Sequence, residues 1–331
     1  MITQEKAEDA LGRMNETRDL LLGEIRKGII GQDKVITELL ITLLARGHCL
    51  LTGIPGLGKT LLVKTISKCL SLDFKRIQFT PDLMPADVVG SEVVDEDPST
   101  GRKSFRFAPG PIFSNIVLAD EINRTPPKTQ AALLEAMEER QVTVSGQTRP
   151  LDAPFFVLAT QNPIELEGTY PLPEAQLDRF LLNPVIQYLS EEDEIRMVGE
   201  TTGVERLNPQ PVLSGDDIEA LQDLTRQLPV PETVVSYAVR LTSASRPDVE
   251  ACDEWTRKRV RWGAGSRGAQ ALILAAKARA LLDGRPNASG EDVKFLAKSA
   301  LRHRILPSFF AESEGLGSDD IIAHLLETVT A

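Results

Sequence analysis

Apolar and polar positions along the chain change their period twice. Residues 4–27 repeat apolar side chains at helical spacing, GIIGQ at 28–32 is a glycine-punctuated turn, and a second helical stretch runs to about Arg46. CLLT at 49–52 is an unbroken apolar run of the kind a strand buried on both faces shows. From there strand and helix patterns alternate: a helix after Thr60, strands near KRIQF (75–79) and SNIVLAD (114–120), a helix over KTQAALLEAMEERQ (128–141), and a strand at FFVLAT (155–160). This alternation predicts an α/β fold with a parallel sheet covered by helices on both faces. Two segments interrupt it. Residues 81–110 hold a short helix candidate, then EVVD and KSFRF around a polar turn, and residues 141–151 (QVTVSGQTRPL) alternate around Gly146, so both are expected to be hairpins inserted into the core. Beyond about Ser190 the strand pattern stops. Ser190 with Asp193, Ser214 with Asp217 and Ser289 with Asp292 each place an oxygen-bearing cap three residues before an acid, which signals helix starts and a helical second domain. The stretch NPQPVL at 208–213 falls inside that helical part, so the boundary is expected near residue 188, giving a core over 1–188 and a helical domain over 189–331.

Composition narrows the function classes. With 331 residues, 42% hydrophobic and 26% charged, the chain can bury two cores and is not a disordered composition. A net charge of -11 and only 5% aromatic residues argue against a surface built for phosphate backbones or base stacking, so no nucleic-acid partner is expected. Cys49, Cys69 and Cys252 lack paired spacing, and His48, His303 and His324 lack ligand or triad spacing; this suits a reducing compartment and no structural zinc. The first residues, MITQEKAEDALGRMNE, carry charges from the fifth position and no apolar leader region. No apolar run reaches transmembrane length, so a cytoplasmic protein without membrane insertion is expected.

The chemistry concentrates in GIPGLGKT at 53–60, between a predicted strand and a predicted helix. It fits G-x-x-x-x-G-K-[ST] in the context that motif requires. Glycines let the backbone N–H groups curl inward, and the helix N-terminus adds partial positive charge for phosphates. The phosphate-holding residues are thus Gly53, Ile54, Pro55, Gly56, Leu57, Gly58, Lys59, Thr60 and Leu61, with Lys59 reaching the β- and γ-phosphates and the Thr60 hydroxyl on Mg²⁺. The strand Ile116–Ala119 ends in Asp120 and Glu121, where Asp120 can hold the Mg²⁺ shell and Glu121 can serve as general base toward the attacking water. No guanine-reading N-K-x-D element is present, which points to ATP rather than GTP. Asn162, at the end of FFVLATQN, is either a polar group that orients that water or a turn residue before Pro163.

With GIIGQ, GIPGLGKT, LADEINR, KTQAALLEAMEERQVTV, LATQNPIE, EAQLDRF and GAGSRGAQALILAAKA together, the sequence resembles the AAA+ ATPases, and more narrowly the MoxR family, over nearly its whole length. The resemblance implies a P-loop core with a C-terminal helical lid, assembled as a homo-oligomeric ring, usually hexameric, with ATP at subunit interfaces. The segments 81–110 and 141–151 match that clade's helix-2 insert and pre-sensor hairpin. Arg179 in LDRF matches the arginine finger, acting in trans on the neighbour's γ-phosphate; the lesser reading on local sequence is a surface ion pair. Arg267 in GSRG matches the lid's sensor arginine, and Ile30, Gly31 and Gln32 match the segment beside the adenine. Arg124, after the Asp-Glu pair, reads either as a contact to the next subunit or as a solvated side chain.

The reading that follows is an ATP- and Mg²⁺-dependent ring that remodels, matures or activates client proteins; the resemblance further implies a partner with a von Willebrand factor A domain. Alternatives are a DNA-dependent AAA+ motor, a nucleotide-responsive scaffold without turnover, and a chelatase-type motor subunit.

Overall fold

The computed structural model describes residues 4–54, 56–96, 103–162, 168–202 and 208–330; Pro55, residues 97–102 and residues 163–167 of the LATQNPIE stretch lie outside them. Two helices open the chain, α1 (Gln4–Arg26) and α2 (Asp33–Leu44), and β1 (Cys49–Thr52) follows. Next come α3 (Lys59–Cys69), β2 (Phe74–Gln78), α4 (Pro85–Val89) and the antiparallel pair β3 (Gly90–Glu96) and β4 (Lys103–Pro109). The second half of the core comprises β5 (Ile116–Asp120), α5 (Pro127–Glu139), the hairpin β6 (Gln141–Val144) and β7 (Gln147–Pro150), and β8 (Phe156–Gln161).

The central sheet runs β1-β8-β5-β2, all parallel. Its strands are apolar without alternation because both faces are covered. Cys49, Leu51, Ile116, Leu118, Phe156 and Leu158 enter one core with α1–α3, while Leu50, Val117, Ala119, Val157 and Ala159 enter the other with Leu133, Leu134 and Met137 of α5. Both inserted hairpins form where the sequence predicts them. One element went unforeseen: residues 181–186 run alongside β1, with Leu182 bridging Cys49 and Val185 bridging Thr52. Pro184 cannot donate to a ladder, which keeps this stretch from becoming a regular strand.

After α6 (Glu174–Leu177), the C-terminal part holds α7 (Glu191–Thr201), α8 (Gly215–Gln227), α9 (Glu232–Ala244), α10 (Glu254–Arg259), α11 (Ser266–Leu282), α12 (Gly290–Leu301), α13 (Phe309–Ser313) and α14 (Ser318–Thr328). The Ser190 hydroxyl accepts from the Asp193 N–H, Ser214 with Asp217 forms a reciprocal capping box, and at the third start the Asp292 carboxylate accepts from both the N–H and the hydroxyl of Ser289. The part is not wholly helical: β9 (Val260–Trp262) and β10 (Leu306–Pro307) make a short antiparallel ladder too brief to leave an alternating signature. Helices α8, α9, α11 and α12 share the apolar core of α1–α3. Among the described residues no helix is long and apolar enough to cross a membrane.

Candidate active site

The carboxyl edge of the sheet gathers one set of predicted residues. Past Thr52 the chain turns into α3 through Gly56 and Gly58, at φ +86° and +72°, a left-handed region that strains any residue with a Cβ. Gly58 is the N-cap of α3 and offers no side-chain acceptor, so first-turn N–H groups are left to an external acceptor. The Lys59 amine folds back onto the carbonyl of Gly53. Lys59 opens α3 just past β1, and Asp120 closes β5 with Glu121 following, so the parallel order puts the lysine at the same carboxyl edge as both carboxylates; partial burial pushes the Lys59 pKa down, and their charges oppose this. Thr60 stands partly exposed in the first turn of the same helix.

The Thr160 hydroxyl ties the acidic pair to β8: it donates to Asp120 Oδ1 at 2.6 Å and accepts from the Glu121 N–H at 2.8 Å. Arg76 on β2 donates to Asp120 Oδ2 at 2.6 and 3.0 Å. Glu121 holds a left-handed backbone at φ 58°, ψ 50°, a costly conformation for a glutamate and one that occurs at functional turns. Its Oε2 accepts from Gln78 at 2.9 Å and from Arg124 at 2.8 Å, so Arg124 has a partner within the chain. Asn162 is buried immediately after Gln161, the residue in register with Thr52. A hard-oxygen set of the Thr60 hydroxyl and an Asp120 carboxylate oxygen suits Mg²⁺, and the uncapped α3 start beside it suits phosphates. Adjacent lies a largely apolar cavity of about 340 Å³ lined by Ile30, Gln32, Leu57, Leu61, Tyr188, Leu189 and Met197. Gly31 does not line it; at φ +70° it packs against Leu189 and Asp193 and opens onto a neighbouring polar cavity.

The two remaining predicted arginines are elsewhere. Arg179 and Arg267 line a cleft of about 290 Å³ with Arg46, Gly47 and His48, which precede β1, and the cleft is hence at the opposite end of that strand from Gly53. Four residues of strand separate the two ends by about 13 Å. Arg179 pairs with Glu138 at 2.8 Å and Arg267 with the same carboxylate at 3.3 Å. Gly47 admits this arrangement, since a Cβ there would sit 2.5 Å from Leu181. Arg304 secures the Arg179 segment from the C-terminal part: it pairs with Asp178 at 2.6 Å and donates to the Phe180 carbonyl at 2.7 Å. Six arginines (Arg46, Arg140, Arg179, Arg226, Arg267, Arg304) line the cleft against the carboxylates Glu138 and Asp178. Burial, then the charges of Arg46 and Arg226, push the Arg140 pKa down.

Residues 48–182 match the model of the "ATPase family associated with various cellular activities (AAA)", and residues 252–325 match that of the AAA lid domain. The chain is 40% identical to Chaperone MoxR1 of Mycobacterium tuberculosis over 95% of this chain and 82% of that protein. This chain belongs to the MoxR family of AAA+ ATPases. Protein MoxR of Paracoccus denitrificans is 32% identical over 87% of this chain and 88% of its own length. The crystal structure of a Cytophaga hutchinsonii protein superposes with a TM-score of 0.90 at 40% identity, covering 98% of each chain. The AAA match spans residues 53–61, Asp120, Glu121, Asn162 and Arg179, and the lid match spans Arg267.

Several site residues escaped the sequence reading. Gln78 and Arg76 sit on β2 among exposed polar neighbours, and only the pairing of Gln78 with Asp120 across β2 and β5 brings them to the acids. Glu138 and Arg304 are charged positions on helical stretches whose partners lie 41 residues or more away in sequence, as in Arg179–Glu138. Met197 lies on α7 with no local signal toward the cavity.

Proposed function

We propose that this MoxR-family chain is an ATPase that works as a ring, one copy supplying Lys59, Thr60, Asp120, Glu121 and Asn162 and the next supplying Arg179 and Arg267. Residues 1–188 then act as the nucleotide-binding core and 189–331 as its lid. The observation that carries the reading is the separation just described: the two arginines lie at the amino end of β1, away from their own phosphate loop, in a cleft whose cationic excess calls for an external anion. Arg179 Nε is buried without a hydrogen-bond partner among the described residues, a donor awaiting an acceptor.

Within one site the roles follow from placement. The α3 N-terminus and Lys59 hold the phosphates, and Thr60 with Asp120 would hold Mg²⁺, which supplies charge neutralisation when bound. Glu121 takes the proton of the attacking water once released from Gln78 and Arg124, and Asn162 orients that water. Arg179 and Arg267 of the adjoining copy neutralise charge developing on the γ-phosphate, an effect on the order of 10³ to 10⁵ in rate for a finger of this kind. The Mycobacterium relative is named a chaperone, which supports a protein client, and the family resemblance supports a ring, hexameric in the commonest case, with a von Willebrand factor A partner; the work done is remodelling or maturation of that client.

The test is phosphate release by wild type, Glu121→Gln and Arg179→Ala, with Glu121→Gln in ATP also used to capture partners. Both variants are expected to bind ATP and fail to turn it over, and Glu121→Gln should accumulate the assembled state. Full turnover by a strictly monomeric Arg179→Ala preparation would overturn the reading.

A further inference from the structure

We propose that Glu138 is a positioning residue which presents Arg179 and Arg267 as a pair to the triphosphate of the adjoining copy; this rests on the interfacial reading above. Glu138 is the next-to-last residue of α5, and its two oxygens are divided: Oε2 goes to Arg179 and Oε1 to Arg267. The arginines come from different parts of the chain. Arg179 follows α6 beside the sheet, whereas Arg267 is the second residue of α11. A single carboxylate therefore fixes the distance between a core guanidinium and a lid guanidinium.

Two other cations of the cleft have acidic anchors of their own: Arg304 has Asp178, and Arg46 has Asp223 at 2.7 Å with Gln222 at 3.0 Å, while Arg140 donates to the Arg46 carbonyl at 3.2 Å. Glu138 is left to Arg179 and Arg267, and without it two like charges would face each other among four more arginines. Its place at the carboxyl end of α5 adds the helix's partial negative charge to its own. Each guanidinium has five donor hydrogens, and one contact with Glu138 leaves most of them for phosphate oxygens. Glu138 thus orients the pair without using it up, and the adjoining nucleotide meets two arginines whose freedom has already been restricted.

The experiment uses the full chain with Glu138→Ala and Glu138→Gln, each alone and combined with Arg267→Ala, in steady-state ATP turnover. Glu138→Ala should lower kcat by about tenfold or more and change KM for Mg-ATP by less than about twofold, because nucleotide is held by the other copy's loop. Glu138→Gln, which keeps one acceptor, should fall between. In the Arg267→Ala background, Glu138→Ala should cost clearly less than it does alone. Mixing Glu138→Ala subunits, which have an intact Glu121 site, with Glu121→Gln subunits, which have an intact arginine face, should restore turnover above the sum of the separate preparations; this also shows that Glu138→Ala is folded. Unchanged or raised kcat in Glu138→Ala, a full additive loss with Arg267→Ala, or no recovery on mixing would each overturn the proposal. Full activity of Arg179→Ala would instead sink the interfacial reading itself, whereas an inactive Arg179→Ala beside an active Glu138→Ala would sink only the role of Glu138.

Discussion

His48 makes the fold acid-sensitive in a way that can be computed from its surroundings. The residue precedes β1, and its ring is fixed by two backbone groups: Nε2–H donates to the Met137 carbonyl at 3.0 Å, and Nδ1 accepts from the Val157 N–H at 3.0 Å. Protonation would turn Nδ1 into a donor facing a donor, inside a buried site. Burial pushes its pKa from 6.5 down to about 4, with the Met137 bond opposing and Arg140 reinforcing the shift. A histidine whose folded value is depressed leaves stability intact above the unfolded value near 6.5. Between 6.5 and about 4 the unfolded chain binds a proton that the folded chain excludes, so stability falls as the solution is acidified through that window. At roughly 1.4 kcal/mol per pH unit, the full descent costs about 3 kcal/mol from this residue. His48→Gln is the informative perturbation, because its amide keeps a donor for Met137 but cannot titrate. At pH 7 it should be less stable by about 1–3 kcal/mol, the cost of an unpaired Val157 N–H. Its urea-unfolding stability, followed by tryptophan fluorescence from pH 7.5 to 4, should nevertheless decline more shallowly than wild type by the share of one proton. His303, whose pKa burial also holds well below its ordinary value, contributes equally to both curves and cancels. Parallel pH dependences for the two proteins, or an imidazole resonance of His48 titrating near 6.5, would refute the reasoning.

Two further outcomes follow from unpaired or restraining side chains. Gln78→Ala removes one of the two donors on Glu121 Oε2 and should raise basal phosphate release, by up to about tenfold for one charge-assisted hydrogen bond; a fall would mean that Gln78 aims the glutamate rather than restrains it. Tyr237 is among the largest fully buried side chains, and its hydroxyl has no hydrogen-bond partner among the described residues, so Tyr237→Phe should leave the urea midpoint unchanged or raise stability by about 1 kcal/mol, and a loss of that size would reveal a hidden partner.

What the sequence disclosed was whatever local pattern controls. Strands β1, β5 and β8 were readable because burial on both faces removes alternation, and the helix starts at Ser190, Ser214 and Ser289 because a cap acts within three residues. The phosphate loop was readable because curling a chain around phosphates needs glycines at fixed places. Long-range charge pairing left no such trace. The edge of β2 reads as an ordinary polar strand, yet it delivers Arg76 and Gln78 to the acidic pair. The position of Arg267 was equally hidden, since nothing in GSRG says whether the lid turns that arginine toward its own phosphate loop or toward Glu138.

The lid is also tied to the phosphate loop through groups no motif includes. Thr52, the last residue before Gly53, donates from its hydroxyl to Asn183 Oδ1 at 2.9 Å. The Asn183 N–H donates to the Ser299 carbonyl on α12 at 2.7 Å, and its own carbonyl accepts from Arg302. The Ser299 hydroxyl in turn donates to the buried Glu38 of α2 at 2.6 Å, a carboxyl whose pKa burial raises. Asn183, Ser299 and Glu38 are all buried, and each such group left unpaired costs about 1–3 kcal/mol. Rotation of α12 against β1 would break several of these bonds at once. A lid that moves with nucleotide state must therefore carry residues 181–186 along with α12 or pivot outside this chain of bonds, and because Arg304 holds Asp178 and Phe180, the first course moves the Arg179 segment with the lid.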